Sequence, residues 1–297
     1  MNYDLFFYYQ DNSLRISLKQ FQNYFRKKPN YKVEENAAIY NNEDTGIYLI
    51  FEYNSDTSHE ETPQPEGIQI QSITFSLNYY RPHIFGLEAE KELTAFIHDF
   101  HLLVSDSQIG GMGNGQYSPS GFLNGWNKGN EFALKSISRE NKESLFFLPT
   151  QKIEQYWNWN YNRNTFHKEL NIDIFVPKFM FIIHEGEISP VIVWSDGIPV
   201  SLPDVQKIVI YRDELAPRKL FSRKPDMSII KKSDLEPLLT KYQVKERFST
   251  PYHILNYEIE NRPIEIVNFI RSLSASRGEL VPISVDKILN EELVGKK

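Results

Sequence analysis

Apolar and polar positions in the first third of the chain follow two periods that predict different elements. A period of two favours strands, and apolar residues three and four positions apart favour helices. Ser17 precedes Leu18, Phe21 and Phe25 and is predicted to cap a helix that carries these three side chains on one face. The predicted elements are a strand over 3–9, this helix, strands over 37–40, 47–53 and 68–79, and a helix over 88–102.

This order of elements predicts an α+β fold, in which antiparallel sheets carry helices packed on one face. A mixed Gly-rich and helical segment follows in the middle of the chain, with glycines at 110, 111, 113, 115, 121, 125 and 129. Helices are predicted there from Ser118, with Pro119 in the favoured first position, and over 150–170. The last third returns to strands, and its predicted helices cover 233–242, 263–273 and 284–294.

The change in composition along the chain also predicts its division into domains. We predict an N-terminal α+β domain over residues 1–170, which holds the Gly-rich loop and its helices. A C-terminal α+β domain then covers residues 171–297. The alternative is one continuous unit, because 297 residues suit either one large domain or two modest ones.

Composition narrows the classes of function that the chain can serve. The 33 Lys and Arg against 39 Asp and Glu give a formal charge of −6. This acidic balance argues against nucleic-acid binding, which usually needs a basic surface. The sequence contains no cysteine, which excludes disulfides, thiolate metal sites and cysteine nucleophiles.

Two observations on apolar segments bear on location. The first nine residues carry Asp4 and no preceding basic segment, so a secretory signal is not predicted. The longest apolar stretch, residues 172–183, is interrupted by Asp173, Pro177 and Lys178 and is shorter than the roughly 20 residues that span a bilayer. We therefore expect a cytoplasmic protein with no membrane contact.

The acidic charge is concentrated in the first third of the chain, which favours a basic protein partner. Complementary potential speeds the encounter of two proteins and rejects wrong partners. Solubility charges are the alternative explanation for the same residues. We predict partner contacts from two acidic loops, and from the end of the Gly-rich segment, at Glu43, Asp44, Glu60, Glu61, Glu66, Gln116 and Tyr117.

No motif of established chemistry is complete in this sequence. The segment 110–115 lacks the Lys and Ser or Thr of a phosphate-binding loop and the third glycine of a dinucleotide fingerprint. His98 and His101 have metal-ligand spacing, but no second group of ligands accompanies them. We therefore predict no catalytic residue, no cofactor and no metal. Gly125 and Gly129 within a helix indicate close approach by a neighbouring segment.

Two other classes of function stay open at this point. A carbohydrate-binding module would stack sugar rings on Trp157 and Trp159, which requires both rings to be exposed. A hydrolase would place its active site in the Gly-rich cleft of residues 106–131 and show turnover or a bound ligand. Its catalytic groups would be drawn from His101, Asp106, Gln116 and Glu131.

Several strings carry a resemblance to known proteins. They are Asn42-Glu43-Asp44-Thr45-Gly46-Ile47-Tyr48, Arg81-Pro82 with Phe85-Gly86-Leu87-Glu88-Ala89, Gly125-Trp126-Asn127-Lys128-Gly129-Asn130-Glu131-Phe132-Ala133, Ser195-Asp196-Gly197-Ile198-Pro199, and Arg212-Asp213-Glu214-Leu215-Ala216-Pro217-Arg218. Over residues 3–273 the chain resembles uncharacterised bacterial proteins that are similar to immunity proteins of polymorphic toxin systems. The resemblance implies a protein that neutralises a cognate toxin or effector domain by binding it. It supplies no catalytic residues.

Overall fold

A computed structural model describes residues 1–54, 68–136, 145–170, 172–219, 222–243, 253–276 and 279–293. The chain forms two compact units: unit 1 comprises residues 1–154 and 285–297, and unit 2 comprises residues 155–284. The predicted domains, 1–170 and 171–297, stay a prediction.

The predicted strands and helices of the first third of the chain are present with shifts at their ends, and further short strands that the sequence did not predict follow along the chain. The strands are β1 (Asn2–Tyr8), β2 (Tyr31–Val33), β3 (Ala37–Asn42), β4 (Ile47–Tyr53), β5 (Ile70–Asn78), β6 (Leu103–Asp106), β7 (Gly113–Gly115), β8 (Phe146–Leu148), β9 (Met180–His184), β10 (Glu187–Ser195), β11 (Val200–Leu202), β12 (Lys207–Arg212), β13 (Arg218–Lys219), β14 (Ser222–Arg223), β15 (Asp226–Lys231), β16 (His253–Leu255), β17 (Val281–Ile283) and β18 (Ile288–Asn290). The helices are α1 (Leu18–Phe25), α2 (Ile84–Phe100), α3 (Pro119–Ser136), α4 (Thr150–Leu170), α5 (Glu236–Tyr242) and α6 (Ile264–Ser272).

Unit 1 is built on a seven-stranded antiparallel sheet in the order β2-β3-β4-β5-β1-β6-β7. Its three complete helices pack on the same face through aromatic side chains. Phe25 of α1 and Phe96 of α2 contact Phe51 of β4, and Phe122 of α3 contacts Tyr3 of β1. All five of these side chains are buried. The predicted α+β class, with helices on one face of an antiparallel sheet, is confirmed.

Local signals at two helix starts are also confirmed. The Ser17 hydroxyl accepts from the backbone N–H of Gln20, and the Gln20 side chain accepts from the backbone N–H of Ser17, which is a capping box. Helix α3 begins at Pro119, the position where a missing N–H costs nothing.

Unit 2 contains a five-stranded sheet in the order β15-β12-β10-β9-β17, in which β10 and β12 run parallel and the other pairs antiparallel. A buried carboxylate joins the ends of the parallel pair. Asp196 follows β10 and accepts hydrogen bonds from the backbone N–H groups of Asp213, Glu214 and Leu215, which follow β12. The two strings that contain these residues therefore form one structural junction.

The predicted helix over 284–294 is wrong. Residues Val285–Lys287 form one 3-10 turn, and β18 then pairs in parallel with β8. Asn290 in β18 is fully buried, accepts from the backbone N–H of His83 at 3.1 Å and donates to the Thr150 hydroxyl at 2.9 Å. This tertiary network outweighs the weak helical pattern of the segment.

Helix α4 buries a different stripe from the one that its sequence suggests. The spacing predicts Ile153, Trp157 and Tyr161 as the core face, and Ile153 is indeed buried. Trp157 and Tyr161 are half-buried, whereas Trp159 is 8% exposed and its indole N–H donates to the carbonyl of Pro177. The Trp159 ring is therefore not presented as a platform for a sugar.

Candidate functional site

The sheet of unit 1 has an outer face, opposite to the three helices, whose side chains are set by strand register. One row crosses the sheet through Asp4, Ser76, Ile50, Ile39 and Lys32. The next row contains Ser105, Phe6, Thr74, Glu52 and Ala37. These two rows, together with the adjacent Tyr48 and Asn41, are called the outer face below.

The outer face is mostly accessible and belongs to a sheet that is close in size to a protein interface. Lys32 and Glu52 are exposed and Phe6, Ile39 and Ile50 are half-buried, whereas Thr74 and Ser105 of the second row are buried. The strands hold three to nine residues, so at about 3.4 Å per residue and about 4.8 Å between strands one whole side of the sheet covers on the order of 600 Å². One partner in a standard interface contributes about 800 Å². The outer face is part of that side of the sheet and can therefore form part of a contact with another protein.

A rigid turn borders the outer face where β3 passes into β4. This acidic turn, residues 42–46, is anchored by the buried carboxylate of Glu88. One oxygen of Glu88 accepts from the Tyr40 hydroxyl at 2.7 Å, the Asn42 amide at 2.8 Å and the Thr45 hydroxyl at 3.1 Å. Because the turn is anchored, the positions of Glu43 and Asp44 are fixed relative to the sheet.

Glu43 and Asp44 line a concavity of about 770 Å³ that opens onto the outer face. Lys32 also lines it, and its ammonium forms an ion pair at 2.8 Å with Glu34. The carboxylates outnumber the lysine, so the concavity is acidic. Its other lining residues are Asn30, Tyr31, Ile39, Asn41, Asn42 and Tyr48.

A second carboxylate lies beneath the same strands. Glu92, one turn after Glu88 on α2, accepts a hydrogen bond from the Tyr31 hydroxyl at 3.1 Å. Burial raises the pKa of Glu92 above its ordinary 4.5, outweighing the hydrogen bond from Tyr31, which lowers it. The charged form of Glu92 is therefore disfavoured in the folded protein.

Substituting Glu92 gives a prediction for the dependence of stability on pH. The carboxyl group of Glu92 binds its proton more tightly in the folded than in the unfolded state. Its contribution to the free energy of unfolding is therefore fully present below pH 4.5 and is lost as the pH rises through the pKa of the folded state. We expect Glu92→Gln, whose amide oxygen still accepts a hydrogen bond from the Tyr31 hydroxyl, to match the stability of the wild type at about pH 4. At about pH 8 the variant should be more stable than the wild type. Thermal unfolding measures this, with exposed Glu35→Gln as the control. A less stable Gln variant at the higher pH would contradict it.

Gln116 and Tyr117 lie in a separate groove of about 450 Å³, whose lining includes Gln10, His98 and His101. Burial raises the pKa of Tyr117, and its hydroxyl has only long contacts of 3.5 Å to the Thr94 hydroxyl and the Glu90 carbonyl. Strand register puts this groove at the opposite end of the sheet from the acidic turn. Among the described residues, the predicted partner contacts thus lie at two separate sites, Glu43 and Asp44 at one and Gln116 and Tyr117 at the other. Their role in binding a partner stays a prediction.

Two of the four residues suggested for a hydrolase, His101 and Gln116, line the groove described above, and Asp106 and Glu131 do not line it. Asp106 is buried and accepts from the Tyr3 hydroxyl at 2.5 Å and from the backbone N–H groups of Gln108 and Met112. It therefore orders the Gly-rich loop. His101 precedes the first residue of β6 and lies at the end of that strand opposite to Asp106. Glu131 on α3 forms an ion pair with Lys135.

The glycines of α3 are explained by close approach, as predicted. A Cβ on Gly125 would lie 3.1 Å from the Cα of Gly111, and one on Gly129 would lie 2.2 Å from the ring of Tyr79. These contacts hold α3 against the Gly-rich loop and the end of β5.

The sequence analysis missed Asp4 and Glu52, which lie on the outer face. Both are charged residues at alternate positions of otherwise apolar strands, and that alternation is the pattern of a strand with one solvated side. The pattern shows which residues share a face. It does not show that the helices of unit 1 leave that face uncovered.

Glu60, Glu61 and Glu66 lie outside the described residues. In the part of the chain that is described, no three His, Asp or Glu side chains are grouped so as to hold a metal ion. None of the described helices is both long and apolar enough to cross a bilayer. Comparison of the chain with protein-family models, curated proteins and solved structures gives no match.

Proposed function

We propose that this chain is an immunity protein, which binds a cognate toxin domain through the outer face of unit 1 and blocks that domain's active site. It acts by covering another macromolecule and carries out no reaction of its own. The observation that carries the proposal is a mostly accessible sheet face bordered by an acidic turn that Glu88 anchors. The resemblance of the sequence to immunity proteins stays a prediction and is the reason for preferring this kind of partner.

Charge supports a partner with a basic contact surface. Asp4 and Glu52 lie on the outer face and Glu43 and Asp44 beside it, so carboxylates outnumber the one lysine, Lys32, in this region. Complementary charge across an interface mainly raises the association rate and the selectivity. Domains that attack nucleic acids carry basic surfaces for the phosphate backbone. A toxin of that type fits the acidic face.

Apolar side chains on the outer face favour direct packing against a partner, in addition to electrostatic attraction. Phe6, Ile39 and Ile50 are half-buried. Ile39 and Ile50 are direct cross-strand partners, and Ser76 and Thr74 of β5 lie between this pair and Phe6. Interfaces commonly combine an apolar centre with a polar, solvated rim. The outer face has that arrangement, with Glu52 and Lys32 exposed around it.

Reversing the charge of the acidic turn tests the proposal. The first step is to establish whether the gene next to that of this chain encodes a secreted effector. The C-terminal domain of that effector, inactivated by substitution, is then the probe. We expect Glu43→Lys with Asp44→Lys to weaken its binding about tenfold at low salt, mainly through slower association. The difference should shrink as salt rises, since the side chains are at the surface.

The control carries the same change of charge elsewhere. Glu185→Lys with Glu187→Lys alters two exposed residues of the hairpin between β9 and β10 in unit 2. Equal weakening by both pairs would show that net charge alone matters and would contradict the assignment of the face. Absence of any complex between the wild type and that domain would contradict the proposed function itself.

A further inference from the structure

The Gly-rich segment forms a well-anchored loop between β6 and β7. This clamped loop, residues 107–112, is held at both ends by the Asp106 carboxylate, which accepts from the N–H groups of Gln108 at 3.1 Å and Met112 at 2.9 Å. The Gln108 side chain accepts from the Tyr79 hydroxyl, and the carbonyl of Gly110 accepts from the amide of Asn124 at 3.0 Å. The loop is therefore held by hydrogen bonds from several side chains.

The clamped loop presents a large apolar side chain to solvent. Ile109 at its tip is 91% exposed, more than any other large apolar residue in the described ranges. A single exposed apolar residue is ordinary on a protein surface. Ile109 differs from such a residue because its loop is held by several hydrogen bonds, yet the loop leaves nearly all of the isoleucine side chain exposed to solvent.

Neighbouring residues on α3 extend the exposed surface. A Cβ on Gly110 would lie 2.5 Å from Cδ of Lys128, so the lysine side chain lies along the loop. Phe132 follows one turn later on the same side of the helix and is 65% exposed. The loop thus offers an apolar tip, a cation beside it and an aromatic ring further along.

Strand register places the clamped loop at the same end of the sheet as the acidic turn. Asp106 pairs with Gly113, and the next pair, Ser105 and Asn114, continues the second row of the outer face. Four strand spacings separate the loop from the acidic turn, on the order of 20 Å. One partner of ordinary size can contact both.

We infer that Ile109 is the apolar anchor of the toxin interface and inserts into a cleft of the partner. This inference rests on the proposed function and adds the residue that dominates affinity. Anchors of this kind carry most of the binding energy in protein interfaces, and a loop that is already ordered loses little entropy on binding.

The side chains around Ile109 define the chemistry of that cleft. Its floor is apolar, to take the isoleucine, and its rim carries a carboxylate, to meet the ammonium of Lys128. Clustered carboxylates are common in catalytic clefts. Insertion of the loop into such a cleft links binding to loss of the toxin's activity.

The experiment uses the full chain and the same inactivated toxic domain as the probe. We expect Ile109→Ser to weaken binding about thirty-fold, mainly through faster dissociation, and Ile109→Leu to change it less than threefold. Leu14→Ser, which alters another exposed apolar residue at 48% exposure, should leave affinity unchanged. Thermal unfolding should be the same for all variants, since Ile109 makes few contacts.

The possible outcomes distinguish failure of the inference about Ile109 from failure of the proposed function. A toxic domain that binds the wild type and Ile109→Ser equally would overturn the inference and leave the function standing. A toxic domain that binds neither would overturn both. A dimer of this chain that Ile109→Ser dissociates would overturn the inference by showing that a second copy covers the loop.

Discussion

Replacing Arg212 by Met is expected to destabilise unit 2 by about 3–5 kcal/mol. The Arg212 side chain is completely buried, and its Nε and Nη2 donate to the two oxygens of Asp226 at 2.7 and 2.9 Å. Its Nη1 donates to the carbonyls of Ile270 and Leu273 at the end of α6. Methionine fills similar space but leaves the carboxylate without its cation and two carbonyls without a donor.

Urea unfolding of the full chain measures this loss. Arg212→Lys should fall between the wild type and Met, because an ammonium cannot make the two parallel bonds that a guanidinium makes. Arg271→Met is the matched control, since Arg271 is exposed on α6, and it should change stability by less than about 0.5 kcal/mol. Equal stability of the two Met variants would show that neither the ion pair within the sheet nor the Nη1 hydrogen bonds to the end of α6 stabilise unit 2.

A methyl group at Gly86 is expected to destabilise unit 1 by about 3 kcal/mol. Gly86 lies in α2, where alanine would normally be favoured over glycine by about 1 kcal/mol. A Cβ at this position would lie 2.2 Å from Cδ1 of Trp126, whose ring is fully buried and whose N–H donates to the carbonyl of His83. The overlap therefore outweighs the helix preference, because neither the helix nor the ring can move freely.

A double-mutant cycle isolates this contact. Trp126→Leu removes the ring that the new methyl group meets, so Gly86→Ala should cost much less in that background. Thermal or urea unfolding of the four proteins gives the coupling energy. An additive cycle would mean that the cost of Gly86→Ala arises elsewhere, and the close packing of α2 on α3 would not be its cause.

The sequence was sufficient to predict the α+β class because its local signals agree with the tertiary structure. The capping box at Ser17 and the start of α3 at Pro119 are each decided by a few neighbouring residues. The helix predicted over 284–294 is wrong for the opposite reason. Asn290 is placed by partners more than a hundred positions away in the chain, which no local pattern can reveal.

The proposed contact surface was harder to predict than the fold. Acidic residues near Glu43 were identified from charge alone, and the structure adds that the acidic turn is rigid and borders an accessible face. Ile109 gave no sequence signal, since one isoleucine in a Gly-rich loop has no period. Its significance follows from exposure together with the hydrogen bonds that fix the loop.

The strings that carry the resemblance to immunity proteins have clear structural roles. Asn42 and Thr45 from the first string bond to Glu88 from the second. Asp196 from the fourth bonds to the backbone of Asp213 in the fifth. These strings therefore contribute to the fold of each unit, and the proposed partner contacts lie on the outer face and the clamped loop.

Chemical labelling of carboxylates in the free chain and in its complex with the toxic domain tests the central claim most directly. If the outer face of unit 1 is the contact, Glu43 and Glu52 will label in the free protein and be protected in the complex, while Glu185 and Glu187 label equally in both. Protection of the unit 2 pair with unchanged labelling of Glu43 and Glu52 would contradict the claim.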